Sequence, residues 1–301
     1  MNKVMKYLKN PGMFLVILDN KGIVRISDKR YLDILFKTVF GRHINWENPR
    51  TYNEKLQWLK LNDHKEIYKI IVDKIAVKDY VAKRIGKQYV IPTIGIYDNF
   101  DEIDFSKLPN QFVIKCNHDS GGLAICLDKK TFNKEEARRK IEKSLRTNYY
   151  YVSREWPYKD VRPRILIEEY LEDRDDKELR DYKFFCFDGK AKMLFVTAGR
   201  QTKGEEATFD FFDLDYNHLD IKSGHPNAEI VPHKPRNFKK MIQLAEKLAE
   251  GFTHVRVDLY EVNGKVYFGE MTLYRAGGLT PFEPEEWDYK LGELICLPEK
   301  K

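Results

Sequence analysis

The chain has 301 residues, of which 42% are hydrophobic and 13% aromatic, and its net charge is +6. A chain of this size and composition can bury a large core, which excludes an intrinsically disordered protein. The first 60 residues hold twelve Lys and Arg against five Asp and Glu, while the rest is nearly neutral. No nucleic-acid-binding motif accompanies the basic segment, so we expect no nucleic-acid partner.

Residues 1–62 are predicted to form a basic, mainly helical region. Its apolar run, 13–18, is far shorter than the about 20 residues of a membrane-spanning helix, and no cleavage site follows it. We therefore expect neither a signal peptide nor a transmembrane helix, and a cytoplasmic location. The basic residues are compatible with a solvated surface, with a peripheral contact to the inner membrane face, or with binding to a glycan-synthesis complex.

Helical and extended patterns then alternate along the chain. Asp73 is a suitable N-cap for a helix that Gly86 ends. The four cysteines are widely spaced without a CxxC pair, so we expect free thiols and no zinc site. The predicted helices cover 28–71 in pieces broken at Asn48-Pro49, then 73–85, 133–145 and 237–250. The predicted strands cover 111–116, 123–127, 165–171, 182–187, 191–196 and the hairpin 255–273. This mixture with antiparallel hairpins indicates an α+β fold.

The last hairpin carries charged residues where a strand usually has apolar or β-branched ones. A three-residue loop, 262–264, would place Asp258, Glu270 and Thr272 on one face, with Arg256 opposite Glu270 and Asp258 opposite Phe268. A two-residue Asn-Gly turn would place the two carboxylates on opposite faces. We predict the three-residue loop, because two clustered carboxylates with a hydroxyl suit Mg²⁺. A solvated face with a cross-strand ion pair is the alternative.

A second group of polar residues surrounds the strand 111–116. Lys115 lies inside this apolar strand, where an ammonium group needs an anionic partner. The turn that follows can direct backbone N–H groups at an anion, and its residues are Asp119, Ser120, Gly121 and Gly122. The pattern is neither GxxxxGK[ST] nor GxGxxG, which excludes P-loop and Rossmann sites. An ordinary Gly-rich turn is the alternative.

In their order and spacing, these segments resemble the ATP-grasp superfamily, and within it the TupA-like family associated with bacterial teichuronopeptide and surface-polysaccharide synthesis. The resemblance extends over about residues 45–298. The segments that carry it are 48–60, 73–78, 112–122, 165–170, 181–190, 256–258 and 269–272.

This resemblance implies two α+β subdomains that grip ATP, with the small or lid subdomain at 63–164 and the large one at 165–301. It implies that Lys115, with Lys78 or the neighbouring Lys74, holds phosphates under the turn 119–122. It further implies Mg²⁺ on Asp258 and Glu270, and charge stabilisation during catalysis by Arg256. The adenine hinge would comprise Glu168, Glu169, Tyr170 and Leu171, and Lys183 would also reach the nucleotide. Thr272 stands where the superfamily commonly has Asn, which makes it a weaker metal ligand. Asp175 and Asp181 remain alternatives for the ribose.

The chemistry that the resemblance implies is ATP-dependent ligation of a carboxylate and an amine through an acyl phosphate. The expected substrates are glycan-linked, such as a uronic acid on a cell-surface polysaccharide or its precursor, joined to an amino acid or an amine. Three alternatives stay open: a glycosyltransferase using the DxD motif at Asp213 and Asp215, a small-molecule or glycan kinase, and a non-catalytic scaffold.

Residues near the predicted metal strand are candidates for substrate recognition. Because they follow it directly, we expect Arg275, Gly277 and Gly278 to contact an anionic substrate, together with Arg200. The substrate side could also contain Asp210, Asp213, His218 and His225.

Overall fold

The computed structural model describes residues 11–174, 179–199 and 206–299. Two residues named above, Arg200 and Asp175, lie outside these ranges. The N-terminal part of the described chain is helical, as predicted, and its helices are α1 (Pro11–Asn20), α2 (Asp28–Phe40) and α3 (Tyr52–Asn62). Within the described ranges, no helix combines the length and the apolarity that crossing a bilayer requires.

Local sequence explains where these helices begin and end. The Ser27 hydroxyl accepts a hydrogen bond from the Arg30 amide, and Gly41 ends α2 in the left-handed conformation at φ 72°. Thr51 and Glu54 form a capping box at the start of α3. Two shorter helices follow, α4 (Ile67–Val72) and α5 (Ala76–Arg84). The predicted helix 73–85 is therefore shorter at its start, where the Asp73 carboxylate accepts from the Ile75 amide at 2.8 Å.

A four-stranded antiparallel sheet occupies the middle of the chain. Its strands are β1 (Thr93–Tyr97), β2 (Phe112–Cys116), β3 (Leu123–Cys126) and β4 (Ile165–Glu169), in the order β1-β4-β2-β3. Helix α6 (Lys134–Leu145) packs on β2 and β3, and the short α7 (Tyr150–Ser153) follows it. The subdomain boundaries at 62 and 164 stay predictions, but β4, assigned above to the large subdomain, belongs to this smaller sheet.

A six-stranded antiparallel sheet contains the remaining strands in the order β10-β9-β5-β6-β7-β8. They are β5 (Asp181–Phe187), β6 (Lys190–Ala198), β7 (Thr208–Phe212), β8 (His218–Leu219), β9 (His254–Val262) and β10 (Lys265–Thr272). Helix α8 (Phe238–Ala249) packs against β5, β6 and β9, and α9 (Glu286–Glu293) packs against α3. The main hydrophobic core lies between this sheet and its helices.

The β9–β10 hairpin differs from its predicted register. The turn has two residues, Asn263 and Gly264, both at positive φ, and Val262 pairs with Lys265. The prediction of a three-residue loop was therefore wrong. A bulge between Phe268 and Glu270 then shifts the pairing, so that Glu270 lies opposite Asp258, and Thr272 opposite Arg256. Because paired residues in an antiparallel sheet point to the same side, the bulge restores the common face that the turn alone would have lost.

Gly269 permits this bulge. A Cβ atom at this position would lie 2.9 Å from the ring of Tyr260 and 3.1 Å from the Asp258 carbonyl oxygen. The predicted partners were also wrong in detail, since Phe268 pairs with Leu259 instead of Asp258, and Glu270 with Asp258 instead of Arg256. The four cysteines are free, as predicted, with Cys296 exposed and the others buried.

Candidate functional site

Two lysines from different elements share one buried carboxylate. Lys115 on β2 lies 2.6 Å from one Glu168 oxygen, and Lys78 on α5 lies 2.5 Å from the other. The Lys78 ammonium also donates to the Ile91 carbonyl oxygen at 2.6 Å. The anionic partner that the sequence required for Lys115 is therefore Glu168, which lies 53 residues further along the chain.

Burial and neighbouring charges shift the pKa values of Glu168, Lys78 and Lys74. Burial alone would raise the pKa of Glu168, but the charges of Lys115 and Lys78 outweigh it and hold that pKa below its usual value. Burial lowers the pKa of Lys78, partly offset by Glu168. Burial likewise lowers the pKa of Lys74, partly offset by Glu270 and Asp119. The group contains three lysines, Lys74, Lys78 and Lys115, around the single carboxylate of Glu168, so lysine side chains outnumber acids at this wall.

The Gly-rich turn between β2 and β3 is held by its own side chains. The Asp119 carboxylate accepts from the Gly122 amide at 3.0 Å and from the Ser144 hydroxyl, and the Lys74 ammonium donates to the Asp119 carbonyl oxygen. The Gly122 amide is therefore engaged inside the turn. Glycine is required here, since a Cβ would lie 2.7 Å from the Cys116 sulfur.

A cavity of about 360 Å³ lies between the two sheets. Of the residues predicted to bind a nucleotide, it is lined by Lys74, Lys78, Lys115, Asp119, Ser120, Gly122, Glu168 and Asp181. Apolar walls come from Val77, Val90, Ile91, Leu179, Tyr260 and Phe268. The structure does not bring Gly121, Glu169, Tyr170 or Leu171 into the lining. The Glu169 amide instead donates to the Pro92 carbonyl oxygen at 3.1 Å.

The charged face of the β9–β10 hairpin forms a compact ionic cluster with β5. Arg256 donates from Nε and Nη2 to both Asp258 oxygens at 2.6 Å, and from Nη2 to Glu270 at 2.7 Å. Its Nη2 also donates to the Thr272 hydroxyl at 3.0 Å. The Lys183 ammonium donates to Asp258 and Asp181. The two predicted metal carboxylates thus lie together, and the cation between them is Arg256.

The two carboxylates differ in accessibility. Asp258 is fully buried, and burial raises its pKa to about 6 despite Arg256 and Lys183. The Glu270 side chain is 43% exposed and lines the cavity. Burial alone would raise its pKa, but Lys183, Arg256 and Lys74 lower it. Glu270 and the Thr272 hydroxyl offer the hard oxygen ligands that Mg²⁺ prefers, whereas both Asp258 oxygens are engaged by cations. The described residues contain no cluster of three or more His, Cys, Asp and Glu arranged for a metal.

A second cavity of about 310 Å³ adjoins the first. The residues that line both cavities are Lys74, Asp119, Ser120 and Glu270. The second cavity is also lined by Lys183, Arg256, Thr272, Arg275 and Gly277 from the predicted set. Gly278 is not in the lining, and its carbonyl oxygen accepts from Gln57 at 2.7 Å.

Sequence reasoning missed several lining residues of this cavity, which include Tyr149, Glu155 and Tyr158. They lie in a segment around α7 that shows no motif. It also missed Lys60 on α3, which is buried and donates to the carbonyl oxygens of Ser153 and Gly277. The available signal was a lysine directly between two leucines, Leu59 and Leu61, in a predicted helix.

The other proposed substrate residues mostly have structural roles. Asp213 accepts from the amides of Asp215 and Asn217 at 2.9 and 2.8 Å, so the DxD motif forms a turn after β7. Asp210 is buried and contacts His218 at 3.1 Å. Of these candidates, only His225 lines the second cavity.

The two antiparallel sheets enclose a lysine-lined cavity, as expected for a protein of the ATP-grasp class. A family model described as TupA-like ATPgrasp matches residues 54–296. The chain belongs to this family, which confirms the resemblance and the α+β ATP-grasp fold.

Solved structures similar to this chain include the D-alanine–D-alanine ligase of Bacillus anthracis complexed with ATP. It is 14% identical, with a TM-score of 0.39, over 68% of this chain and 54% of the ligase. The Helicobacter pylori D-alanine–D-alanine ligase is 14% identical with a TM-score of 0.44, over 82% of this chain and 69% of its own. The Staphylococcus aureus N5-carboxyaminoimidazole synthetase complexed with ADP is 14% identical with a TM-score of 0.41, over 72% of this chain and 50% of the synthetase. The chain thus spans little more than half the length of the Bacillus anthracis ligase. No curated protein sequence matches significantly.

Proposed function

We propose that the protein is an ATP-dependent carboxylate–amine ligase. The observation that carries this proposal is the junction of the two cavities, which share Lys74, Asp119, Ser120 and Glu270. A nucleotide in the first cavity and an acceptor in the second would meet at these residues. Membership of the TupA-like ATP-grasp family also supports this function.

In this proposal the first cavity holds ATP. Lys115, Lys78 and Lys74 contact its phosphates, and Glu168 keeps the first two ammonium groups in place. The base lies against the apolar wall that includes Ile91 and Phe268. Asp181 is the ribose candidate that lines the cavity, whereas Asp175 lies outside the described residues.

The reaction needs no covalent enzyme intermediate. A substrate carboxylate oxygen attacks the γ-phosphorus, the bond to the β-phosphate oxygen breaks, and ADP leaves. The amine nitrogen of the second substrate then attacks the acyl carbon, phosphate departs, and the nitrogen loses a proton to give the amide. Arg256, facing the junction, stabilises negative charge that develops on the transferring group and the tetrahedral intermediate.

The residues that would hold Mg²⁺ are Glu270 and Thr272, with Asp258 contributing if it exchanges one of its cationic partners. Bound Mg²⁺ neutralises negative charge on the β- and γ-phosphates. The donor set fits this ion because carboxylate and hydroxyl oxygens are complemented by phosphate oxygens and water.

The proposal extends to the substrates and the cellular context. The carboxylate belongs to a uronic acid on a cell-surface polysaccharide or its sugar precursor, and the product is an amide with an amino acid or another amine. The support is the resemblance to proteins of surface-polysaccharide synthesis. The basic residues 1–60 would contact the inner membrane face or a synthesis complex.

The test is ADP release by the purified protein with Mg²⁺-ATP and pairs of carboxylates and amines, with the product identified by mass spectrometry. We expect ADP release that requires both substrates. Arg256→Lys should lower kcat by about 10²- to 10³-fold, because it loses the bidentate contact to Asp258 and the bonds to Glu270 and Thr272. The exposed Arg84→Lys is the matched control.

Absence of nucleotide binding would refute the proposal. A stable phosphorylated product formed without an amine would instead identify a kinase, because the same phosphate and metal residues serve simple phosphoryl transfer.

A further inference from the structure

The second cavity contains a buried cation without a carboxylate partner. Arg275 is 3% exposed, and its Nη2 donates to the Ser223 carbonyl oxygen at 3.1 Å. Its Nη1 has no hydrogen-bond acceptor, and no carboxylate of the described residues forms an ion pair with it. The guanidinium lies over the rings of Phe195, Phe211 and Phe282 at 5.3, 6.0 and 5.1 Å. These rings hold it in position without neutralising it.

The same cavity contains a buried carboxylate without a cationic partner. Glu155 is 6% exposed, and one of its oxygens accepts from the Ser153 hydroxyl at 2.6 Å. Lys60 is the charge that acts on it, but the Lys60 ammonium donates to Gln57 at 3.0 Å and to the carbonyl oxygens of Ser153 and Gly277 at 2.8 and 2.7 Å. These bonds use all three donors of Lys60. No ion pair to Glu155 forms among the described residues.

A buried charge is costly without a direct ion pair, and Lys60 acts on Glu155 only from a distance. Two such charges of opposite sign in one cavity indicate a ligand that carries both complements. We propose that the second cavity binds an amino acid as a zwitterion, with its carboxylate on Arg275 and its ammonium group on Glu155. This inference rests on the proposed function and names the amine substrate of that reaction.

The rest of the cavity fits such a ligand. Its volume of about 310 Å³ is at the lower end for small-molecule sites and suits an amino acid rather than a polymer. Its wall combines charged and polar side chains with five aromatic rings, those of Tyr149, Tyr158, Phe195, Phe209 and Tyr274. The junction with the first cavity, at Lys74 and Glu270, would bring the amine near an acyl phosphate.

The test is calorimetric binding of each common L-amino acid to the full chain, in the presence of a non-hydrolysable ATP analogue and Mg²⁺. For the amino acid that binds most tightly, the amide derivative removes the negative charge and the N-acetyl derivative removes the positive charge. We expect either change to weaken binding about 10- to 100-fold, since each loses a charged hydrogen bond.

Two variants assign the charges to residues. Arg275→Leu should abolish discrimination between the acid and its amide, while discrimination between the amine and its N-acetyl form remains. Glu155→Gln should do the reverse. Misfolding would weaken the binding of all ligands, so it cannot explain a variant that loses discrimination at only one of the two charged groups. If Arg275→Leu does not fold, Arg275→Lys keeps the positive charge and should retain partial discrimination between the acid and its amide.

The inference is overturned if no amino acid binds, if the amide binds the parent protein as tightly as the acid, or if both variants keep the parent's discrimination. Binding of the ATP analogue without amino-acid binding would overturn this inference alone. Failure to bind the analogue would refute the proposed function itself.

Discussion

At the scale of single residues, Glu168 is the counter-ion of two ammonium groups from different elements, Lys78 and Lys115. One carboxylate between two cations leaves net positive charge at the cavity wall. This arrangement gives both lysines a counter-ion in a partly buried position and leaves attraction for an anionic ligand.

Replacing Glu168 by Gln should therefore destabilise the free protein by about 3 kcal/mol, because two partly buried ammonium groups lose their partner. Nucleotide should restore part of this loss, since its phosphates supply the missing negative charge. Chemical denaturation with and without an ATP analogue measures both effects. The exposed Glu250→Gln, which breaks the pair with Arg84, should change stability by less than about 0.5 kcal/mol. Equal stability losses in the two variants would contradict the prediction.

At the scale of elements, the bulge in β10 decides which side chains share a face. Gly269→Ala places a Cβ against the Tyr260 ring and the Asp258 carbonyl oxygen, so the strand must shift. We expect ADP release to fall at least about tenfold, because Glu270 loses its position opposite Asp258. Gly251→Ala is the control: its φ of +85° strains the backbone locally, but its Cβ meets nothing within 4 Å. Comparable activity in both variants would argue against a role for the bulge.

His254 links β9 to α3 and β5. Its Nδ1 lies 2.8 Å from the Cys186 carbonyl oxygen, which only accepts, so Nδ1 carries the proton and Nε2 accepts from the Tyr52 hydroxyl at 2.9 Å. Burial lowers the pKa of His254 to about 3. This neutral form stabilises the fold above the unfolded-state pKa of about 6.5, and the stabilisation is lost as the pH falls toward 3.

The expected loss from this histidine over that range is at most about 5 kcal/mol. Urea unfolding at a series of pH values should show a flatter acid dependence for His254→Gln than for the parent protein. His43→Gln, at an exposed position, should leave the slope of the parent nearly unchanged. A parent slope retained in His254→Gln would contradict the assignment.

The main elements of the fold were predictable because their signals are local. The apolar runs of the predicted strands 111–116 and 182–187 and the pattern of the predicted helix 133–145 act within a few residues, and all three elements form. The register of β10 was not predictable, because a bulge depends on the close packing of Gly269 against Tyr260. The alternation of apolar and polar residues along one strand contains no information about a contact with the neighbouring strand.

At the scale of the whole molecule, a buried ion pair joins the N-terminal helices to the wall of the second cavity. Arg154, at the end of α7, pairs with Asp19 on α1 and lies 4.0 Å over the Tyr31 ring. The adjoining residues Tyr149 and Glu155 line the cavity. The N-terminal helices thereby support one side of the proposed substrate site.

Asp19→Asn should destabilise the protein by about 1–3 kcal/mol, because it removes the more buried of the two carboxylates that pair with Arg154 and leaves Asp28 at 3.1 Å. It should also weaken ligand binding in the second cavity, while nucleotide affinity in the first stays unchanged. Asp98→Asn breaks the exposed pair with Arg162 and is the control. Calorimetry with the amino acid and with an ATP analogue measures the two affinities separately. Equal weakening of both affinities by Asp19→Asn would contradict the prediction.

The candidate site was predicted unevenly for a physical reason. Lys115, Asp258 and Glu270 stand out because charges in apolar strands need partners. Some of their partners, such as Glu168 for Lys115 and Lys183 for Asp258, come from distant positions that only the folded chain brings together. The sequence did not indicate Glu155 as a site residue, because its neighbours in the chain form no recognisable motif.

The bulge also governs how the length of this hairpin can change. Eleven residues separate Asp258 from Glu270: four in each strand, two in the turn and Gly269. A single insertion or deletion among them would break the opposition of the two carboxylates. Excising Gly269 and adding one residue to the turn would preserve it, so length changes between homologous hairpins should be compensated in pairs.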